Sequence, residues 1–184
     1  MQALIDQIEA SLASRLYFLS IFTSLSLPDI AGALSSDNGE ASSKKFIAWY
    51  EDWVRPRFRE NVVSQSPPHI GQYIKELANP FDGESCYRFR CSLLHQGSTQ
   101  HPKSKFDRII FIEPGATTNV IHYGQINGAL CIDLPGFCSE VLQGARAWLA
   151  AHEVHENVQR NLSRFAQRHS GGLAPYIVGV PVIG

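Results

Sequence analysis

The sequence predicts one mainly helical domain with a small antiparallel sheet inserted at about residues 108–133. Apolar residues recur at spacings of three and four over much of the chain, which is the pattern of helices with one buried face. Short β-branched or alternating runs separated by glycines occur only after Gly97. The 184 residues fit a single domain, and 44% hydrophobic with 18% charged residues is ordinary for a folded protein.

A long helix is predicted at the start of the chain, over residues 3–25. Ser26, Pro28 and Asp29 then follow the order of a helix start, with the serine as cap, the proline in the first turn and the aspartate reaching back to free backbone amides. We therefore expect a second, short helix over residues 28–34.

The middle of the chain alternates loops and short helices. The polar run over residues 35–43 predicts a loop, and residues 44–58 carry an aromatic stripe at helical spacing that Pro56 interrupts. A further short helix is expected over residues 70–77. Residues 83–95 have their apolar side chains in helical phase and predict a helix that ends before Gly97.

Three short strands are predicted next, over residues 108–113, 119–123 and 129–133, as an antiparallel meander. Residues 135–169 contain no proline and keep a helical period, and at about 1.5 Å per residue one uninterrupted helix would span roughly 50 Å. Because a small domain is narrower than that, we expect a bend or a protruding, partner-binding end. The apolar tail, residues 173–184, is too short to fold alone and is expected to lie on the body or on another subunit.

Charge and composition narrow the classes of function. The net charge of -1 is unlike that of a dedicated duplex-binding protein, so any affinity for phosphate must be local. The start of the chain lacks the pattern of a signal peptide, and the apolar residues 16–34 contain hydroxyl residues and Pro28, so they predict a core helix and no membrane span. Four cysteines are too few for a disulfide scaffold and are expected to be reduced thiols, in a cytoplasmic protein.

Arg90 and His95, late in the predicted helix, are the most informative pair. Histidine titrates near neutral pH and arginine holds phosphate in a bidentate fork, and cleavage of a phosphodiester uses both properties. At about 100° per residue, the two residues lie roughly 140° apart around an ideal helix. They can meet only if the long arginine side chain bends around the helix or if the last turn before Gly97 is looser. Otherwise a second subunit must contribute one of the two residues.

The run Tyr-Arg-Phe-Arg-Cys-Ser-Leu-Leu-His-Gln-Gly, from Tyr87 to Gly97, resembles the signature of the HEPN superfamily (higher eukaryotes and prokaryotes nucleotide-binding). The resemblance implies a helical bundle that forms a homodimer and cuts RNA without a metal or other cofactor, as in bacterial toxin and defence systems. It implies that Arg90 clamps the phosphate and that His95 is the acid or base. Cys91 stands where active members often have Asn or Asp, so a non-catalytic module that binds a nucleotide or assembles with a partner is the alternative.

Nearby cations suggest a binding surface. Arg88, Lys103 and Lys105 are predicted to contact the RNA backbone beside the motif. A third hypothesis gives the motif no chemistry and buries Arg90 against a carboxylate such as Asp29.

Metal binding has only weak signals in the sequence. Cys86, Cys91, His95 and His101 lie close together but lack the paired spacing of structural zinc sites. The histidines of His152-Glu-Val-His155 are one residue too close for a metalloprotease helix. No metal is therefore predicted, although a role for His101 or the cysteines stays open.

Overall fold

The computed structural model of the chain describes residues 1–67, 69 and 77–184, and it is mainly helical, as predicted. The helices are α1 (Gln2–Ala13), α2 (Tyr17–Leu34), α3 (Ser43–Trp49), a π-helical segment (Tyr50–Val54), α4 (Arg55–Gln65), α5 (Gly83–Gln96), α6 (Leu134–Ala151) and α7 (Glu156–Leu162). Residues 35–42 form the predicted loop. Most of the helix expected over residues 70–77 falls outside the described residues.

The first helical break lies earlier than predicted. Arg15 adopts a left-handed conformation with φ of 59°, which ends α1, and α2 then runs from Tyr17 to Leu34 without interruption. Pro28 therefore lies inside a helix, and Ser26 donates its hydroxyl to the carbonyl of Thr23 instead of acting as a cap. The predicted capping role of Asp29 is wrong, which leaves its carboxylate for another partner.

Pro56 also lies in a helix. The five π-helical residues join α3 to α4 directly, and the proline occupies the first turn of α4. Gly144 of α6 packs on this junction so closely that an added Cβ would lie 2.6 Å from the carbonyl oxygen of Trp53. The aromatic stripe is thus core, with Phe46, Trp49 and Tyr50 buried.

The three-stranded sheet is mixed and not a simple antiparallel meander. Its strands are β1 (Arg108–Ile112), β2 (Gly124–Ile126) and β3 (Ala129–Asp133), in the order β1-β3-β2. β2 and β3 form an antiparallel hairpin whose turn residues, Asn127 and Gly128, both have positive φ. β1 pairs with β3 in parallel, which corrects the predicted pairing, and residues 119–123 form no strand.

The last long helix is broken, as its length required. α6 ends at Ala151 and α7 begins at Glu156. Asn161 of α7 donates its side-chain amide to the carbonyls of Leu34 and Ser36, at 3.0 and 2.7 Å, and so satisfies backbone groups at the end of α2.

The tail forms two small strand pairs, β4 (Arg168–His169) with β7 (Val182–Ile183), and β5 (Gly172–Leu173) with β6 (Ile177–Val178). Several of its apolar side chains are exposed, including Tyr176, Val178 and Ile183. The expectation that these side chains lie on the body is therefore wrong, and their contact with another subunit stays a prediction.

One buried core joins helices from the beginning, middle and end of the chain to the sheet. Leu27 of α2, Phe89 of α5, Ile132 of β3 and Trp148 of α6 belong to one buried cluster. α2 is long and apolar enough to cross a membrane by length and composition, but half of it is buried inside the protein, as in a core helix. This packing brings α2 against α5, which carries the Arg90 and His95 pair.

Candidate active site

Local sequence fixes both ends of α5. Asp82 caps the helix, since its carboxylate accepts a hydrogen bond from the backbone N–H of Ser85 at 2.8 Å. Gly97 ends it in a left-handed conformation, with φ of 65°, and donates its N–H to the carbonyl of Leu93. The predicted helix and its end at Gly97 are confirmed.

Arg90 and His95 meet within one chain. Arg90 Nη1 lies 2.9 Å from His95 Nε2, so the long arginine arm overcomes the angular separation that the helix imposes. A guanidinium only donates hydrogen bonds, so Nε2 of His95 is the acceptor in this contact. His95 is exposed, whereas the Arg90 side chain keeps 20% of its surface accessible.

Asp29 of α2 completes the group. Its Oδ2 lies 2.7 Å from Arg90 Nη2, and its side chain is 18% exposed. At this distance the guanidinium and the carboxylate form a close ion pair. Burial raises the pKa of Asp29, and the nearby positive charge of Arg90 opposes this shift without cancelling it. The pairing that the third hypothesis expects is present, but the arginine is not fully buried.

Tyr87 and Cys91 flank Arg90 on α5. The Tyr87 ring packs edge-on against Phe46, with ring centroids 5.3 Å apart. Burial raises the pKa of Tyr87, and the Cys91 thiol adds to that shift. Cys91 is partly buried and follows Arg90 directly in the helix.

The predicted substrate-binding cations lie elsewhere on the surface. Arg88 is about 160° from Arg90 around the helix, and it pairs with Glu84 at 2.7 Å and donates to the carbonyl of Lys103. Lys105 pairs with Asp82 at 2.7 Å. The structure therefore joins Arg88 to the Lys103 and Lys105 loop, but it does not bring these residues to the Arg90 and His95 pair.

A second group of titratable side chains was not anticipated. Glu140 of α6 is buried, and its carboxylate accepts from the Tyr123 hydroxyl at 2.5 Å and from His122 Nε2 at 3.1 Å. The other ring nitrogen of His122 accepts from the backbone N–H of Asp133 at 3.2 Å. Since both nitrogens are engaged, His122 is a structural link between the sheet and α6.

Two cavities lie near the two groups of side chains described above. A cleft of about 490 Å³ opens beside His122 and Glu140, between α4 and the start of α6. An apolar groove of about 260 Å³ runs between α2, α5 and β1 and is lined by Phe18, Phe89 and Phe111, among others. Neither cavity is lined by Arg90 or His95.

Two of the histidines weighed as metal ligands make ordinary contacts within the protein. His152 packs on the Trp148 ring and bonds to the Trp148 carbonyl, and His101 accepts from the backbone N–H of Lys103. All four cysteines are free thiols. Within residues 1–67, 69 and 77–184, no three His, Cys, Asp or Glu side chains are grouped so that they could hold a metal ion.

Comparison of the chain with protein families, curated proteins and solved structures finds no match. Functional inference therefore rests on the residues of the site. The arrangement that stands out is an arginine held between a carboxylate from another helix and a histidine of its own helix.

Proposed function

We propose that this protein is a metal-independent endoribonuclease of HEPN type. The observation that supports the proposal is the 2.9 Å contact between Arg90 Nη1 and His95 Nε2. This contact brings a phosphate-binding fork and an exposed imidazole within reach of one phosphodiester. His95 is exposed, and one fifth of the Arg90 side-chain surface is accessible to a substrate.

The chemistry follows from the two residue types. His95 takes the proton of a ribose 2′-hydroxyl, or donates one to the leaving 5′-oxygen, and each such transfer contributes roughly 10²–10⁴-fold to the rate. The hydroxyl oxygen attacks the phosphorus and the bond to the 5′-oxygen breaks, which leaves a 2′,3′-cyclic phosphate and a 5′-hydroxyl. Arg90 stabilises the negative charge that grows on the non-bridging oxygens.

One His95 cannot act as acid and base in the same step. We therefore propose a cytoplasmic homodimer in which the motifs of two subunits share one RNA strand. The net charge of -1 gives the protein no general attraction for RNA. In this proposal, RNA is therefore guided by a separate local patch formed by Arg88, Lys103 and Lys105. The exposed apolar side chains of the tail suit a subunit contact.

A second candidate is a non-catalytic module that binds a nucleotide or assembles with a partner. The ion pair between Arg90 and Asp29 favours it, because a guanidinium that already faces a carboxylate is less available to a phosphate. Cys91 also departs from the pattern of active HEPN proteins. In this case a nucleotide or a partner binds at Arg90 and His95 without being cut.

Cleavage of labelled RNA in the presence of a chelator tests the proposal. We expect the wild type to cut RNA to cyclic phosphate ends and to leave the 2′-deoxy strand intact. His95→Ala and Arg90→Ala should each lose about 10²-fold or more of the rate. Matched controls are His155→Ala, which removes another exposed histidine, and Arg146→Ala, which removes a surface arginine paired with Glu9.

The controls should cleave as the wild type does. Equal cleavage by all five proteins would mean that a contaminating nuclease is responsible and would overturn the proposal. Absence of cleavage together with nucleotide binding that Arg90→Ala abolishes would instead support the second candidate.

A further inference from the structure

His95 is blocked as a base in the free chain. Because a guanidinium has no acceptor, the lone pair of His95 Nε2 receives the hydrogen bond from Arg90 Nη1. A lone pair that is already engaged cannot take a proton from a hydroxyl. The contact that brings the two residues together therefore also keeps the histidine inactive.

The two partners of Arg90 differ in how firmly they hold it. Asp29 is an anion with 18% of its side chain exposed, and it comes from α2, a separate element. His95 offers an imidazole nitrogen instead of a carboxylate and is exposed to solvent. An incoming anion would displace the weaker and more accessible partner first, since ionised acceptors bind a guanidinium more strongly than neutral ones.

We infer that Arg90, anchored by Asp29, masks His95 until a phosphodiester binds and releases it. A non-bridging oxygen replaces Nε2 as the acceptor of Nη1, and Asp29 keeps its place at Nη2. Only hydrogen bonds are exchanged, so no covalent step is involved. The inference rests on the proposed function of the site and adds its regulation: the base becomes available only when its substrate is present.

Asp29 is a positioning residue in this scheme. Its carboxylate holds the guanidinium so that Nη1 points across the helix to His95, about 140° away. Without that anchor the arginine arm is free to leave His95. Asp29→Asn keeps the size of the side chain and removes its charge, so it separates anchoring from packing.

The test is the rate at which diethyl pyrocarbonate modifies His95, because this reagent attacks the free lone pair of an imidazole. Peptide mapping by mass spectrometry reads each histidine separately, and His155, which is exposed and lies between α6 and α7, is the internal reference. Dimethyl phosphate is the probe, since it is the smallest phosphodiester and does not cover the ring. Sodium chloride at equal ionic strength controls for screening of the ion pair.

In the wild type, dimethyl phosphate should raise the His95 rate about two- to tenfold, the range that one hydrogen bond of ordinary net strength gives. Arg90→Ala and Asp29→Asn should show the raised rate without the probe. Arg90→Lys replaces Arg90→Ala if the alanine variant does not fold. The His155 rate should be the same in every sample.

Equal His95 rates in the wild type and the Arg90 variant overturn the masking. If dimethyl phosphate raises the His95 modification rate no more than sodium chloride does, a phosphodiester does not release His95. If His95 is modified at the wild-type rate in Asp29→Asn, Asp29 does not anchor Arg90. None of these readouts needs turnover, so they stand apart from the RNA cleavage assay. Masked and released His95 in a protein that never cuts RNA would count against the proposed function alone.

Discussion

Arg90 of α5 pairs with Asp29 of α2 through Nη2 and Oδ2, which lie 2.7 Å apart. The same guanidinium reaches His95 through Nη1, so one side chain connects two helices and the motif. Such a bridge needs the planar fork of arginine, because the single ammonium of lysine cannot reproduce the two directions.

Arg90→Lys should therefore lose most of the RNA cleavage although it keeps the positive charge. We expect a fall of about 10²–10³-fold in kcat, the loss seen when one donor to a transition-state oxyanion is removed. Single-turnover cleavage at saturating RNA measures it, with Arg146→Lys as the control. Full activity in Arg90→Lys would show that charge alone is enough.

Asp82 links the start of α5 to the Lys105 loop, and its removal should destabilise the fold. Burial alone would raise the pKa of Asp82, but hydrogen bonds from Lys105 and Ser85 outweigh it and hold the pKa below the ordinary value of 3.8. Asp82→Ala should lower the free energy of unfolding at pH 7 by about 0.5–2 kcal/mol, as for other helix caps. Urea unfolding measures the loss.

The effect of Asp82 should depend on pH in one direction. Since the folded protein binds the proton less tightly than the unfolded chain, the stabilisation is complete above pH 3.8 and is lost as the pH falls through the lowered pKa. The difference in the free energy of unfolding between wild type and Asp82→Ala should therefore become smaller as the pH falls. Asp82→Asn can still cap the helix, so its free energy of unfolding at pH 7 should fall by less than that of Asp82→Ala. An equal fall in both variants would assign the effect to the charge of Asp82.

Tyr123→Phe tests the buried network at Glu140. The Tyr123 hydroxyl donates to Glu140 Oε2 at 2.5 Å, and both residues are buried. Removal of the Tyr123 hydroxyl leaves a buried carboxylate oxygen of Glu140 without this donor. The free energy of unfolding should therefore fall by about 1–3 kcal/mol. Tyr176→Phe is the control, since Tyr176 is 85% exposed. Equal stability of both variants would show that the oxygen finds another donor.

Cys91 should be the first thiol to react in the native protein. Burial raises the pKa of Cys138 to about 11 and that of Cys86 well above its ordinary value, and Cys131 is also buried. Cys91 is the one partly accessible cysteine of the four. Titration with an aromatic disulfide at pH 8 should give one fast thiol, which Cys91→Ser removes; a fast phase that persists would assign it to a core cysteine and indicate local opening.

Periodicity and cap residues predicted much of the fold. α5 was predicted because Cys86, Phe89 and Leu93 share one face and Gly97 ends the helix. The break at Arg15 was missed because the apolar residues of α1 and α2 are in phase across it. The parallel pairing of β1 with β3 depends on contacts between distant residues, which local patterns do not contain.

The candidate site was predicted in part. Arg90 and His95 follow from the motif, whereas the ion pair to Asp29 requires the packing of α2 on α5 and appeared only as an alternative. The Glu140 network does have a signal in the sequence. Glu140 lies three residues after Phe137 and four before Gly144, so a charged residue occupies the buried stripe of α6.

The side-chain amide of Asn161 donates to backbone carbonyls at the C-terminal end of α2. This helix carries Asp29, which pairs with Arg90. A fragment that stops after α6 would keep every residue of the Arg90 motif and yet lose this capping group. A fragment that keeps these carbonyl groups at the end of α2 satisfied has to extend into α7. Engineering that trims the protein for expression should preserve Asn161 as carefully as the arginine and histidine themselves.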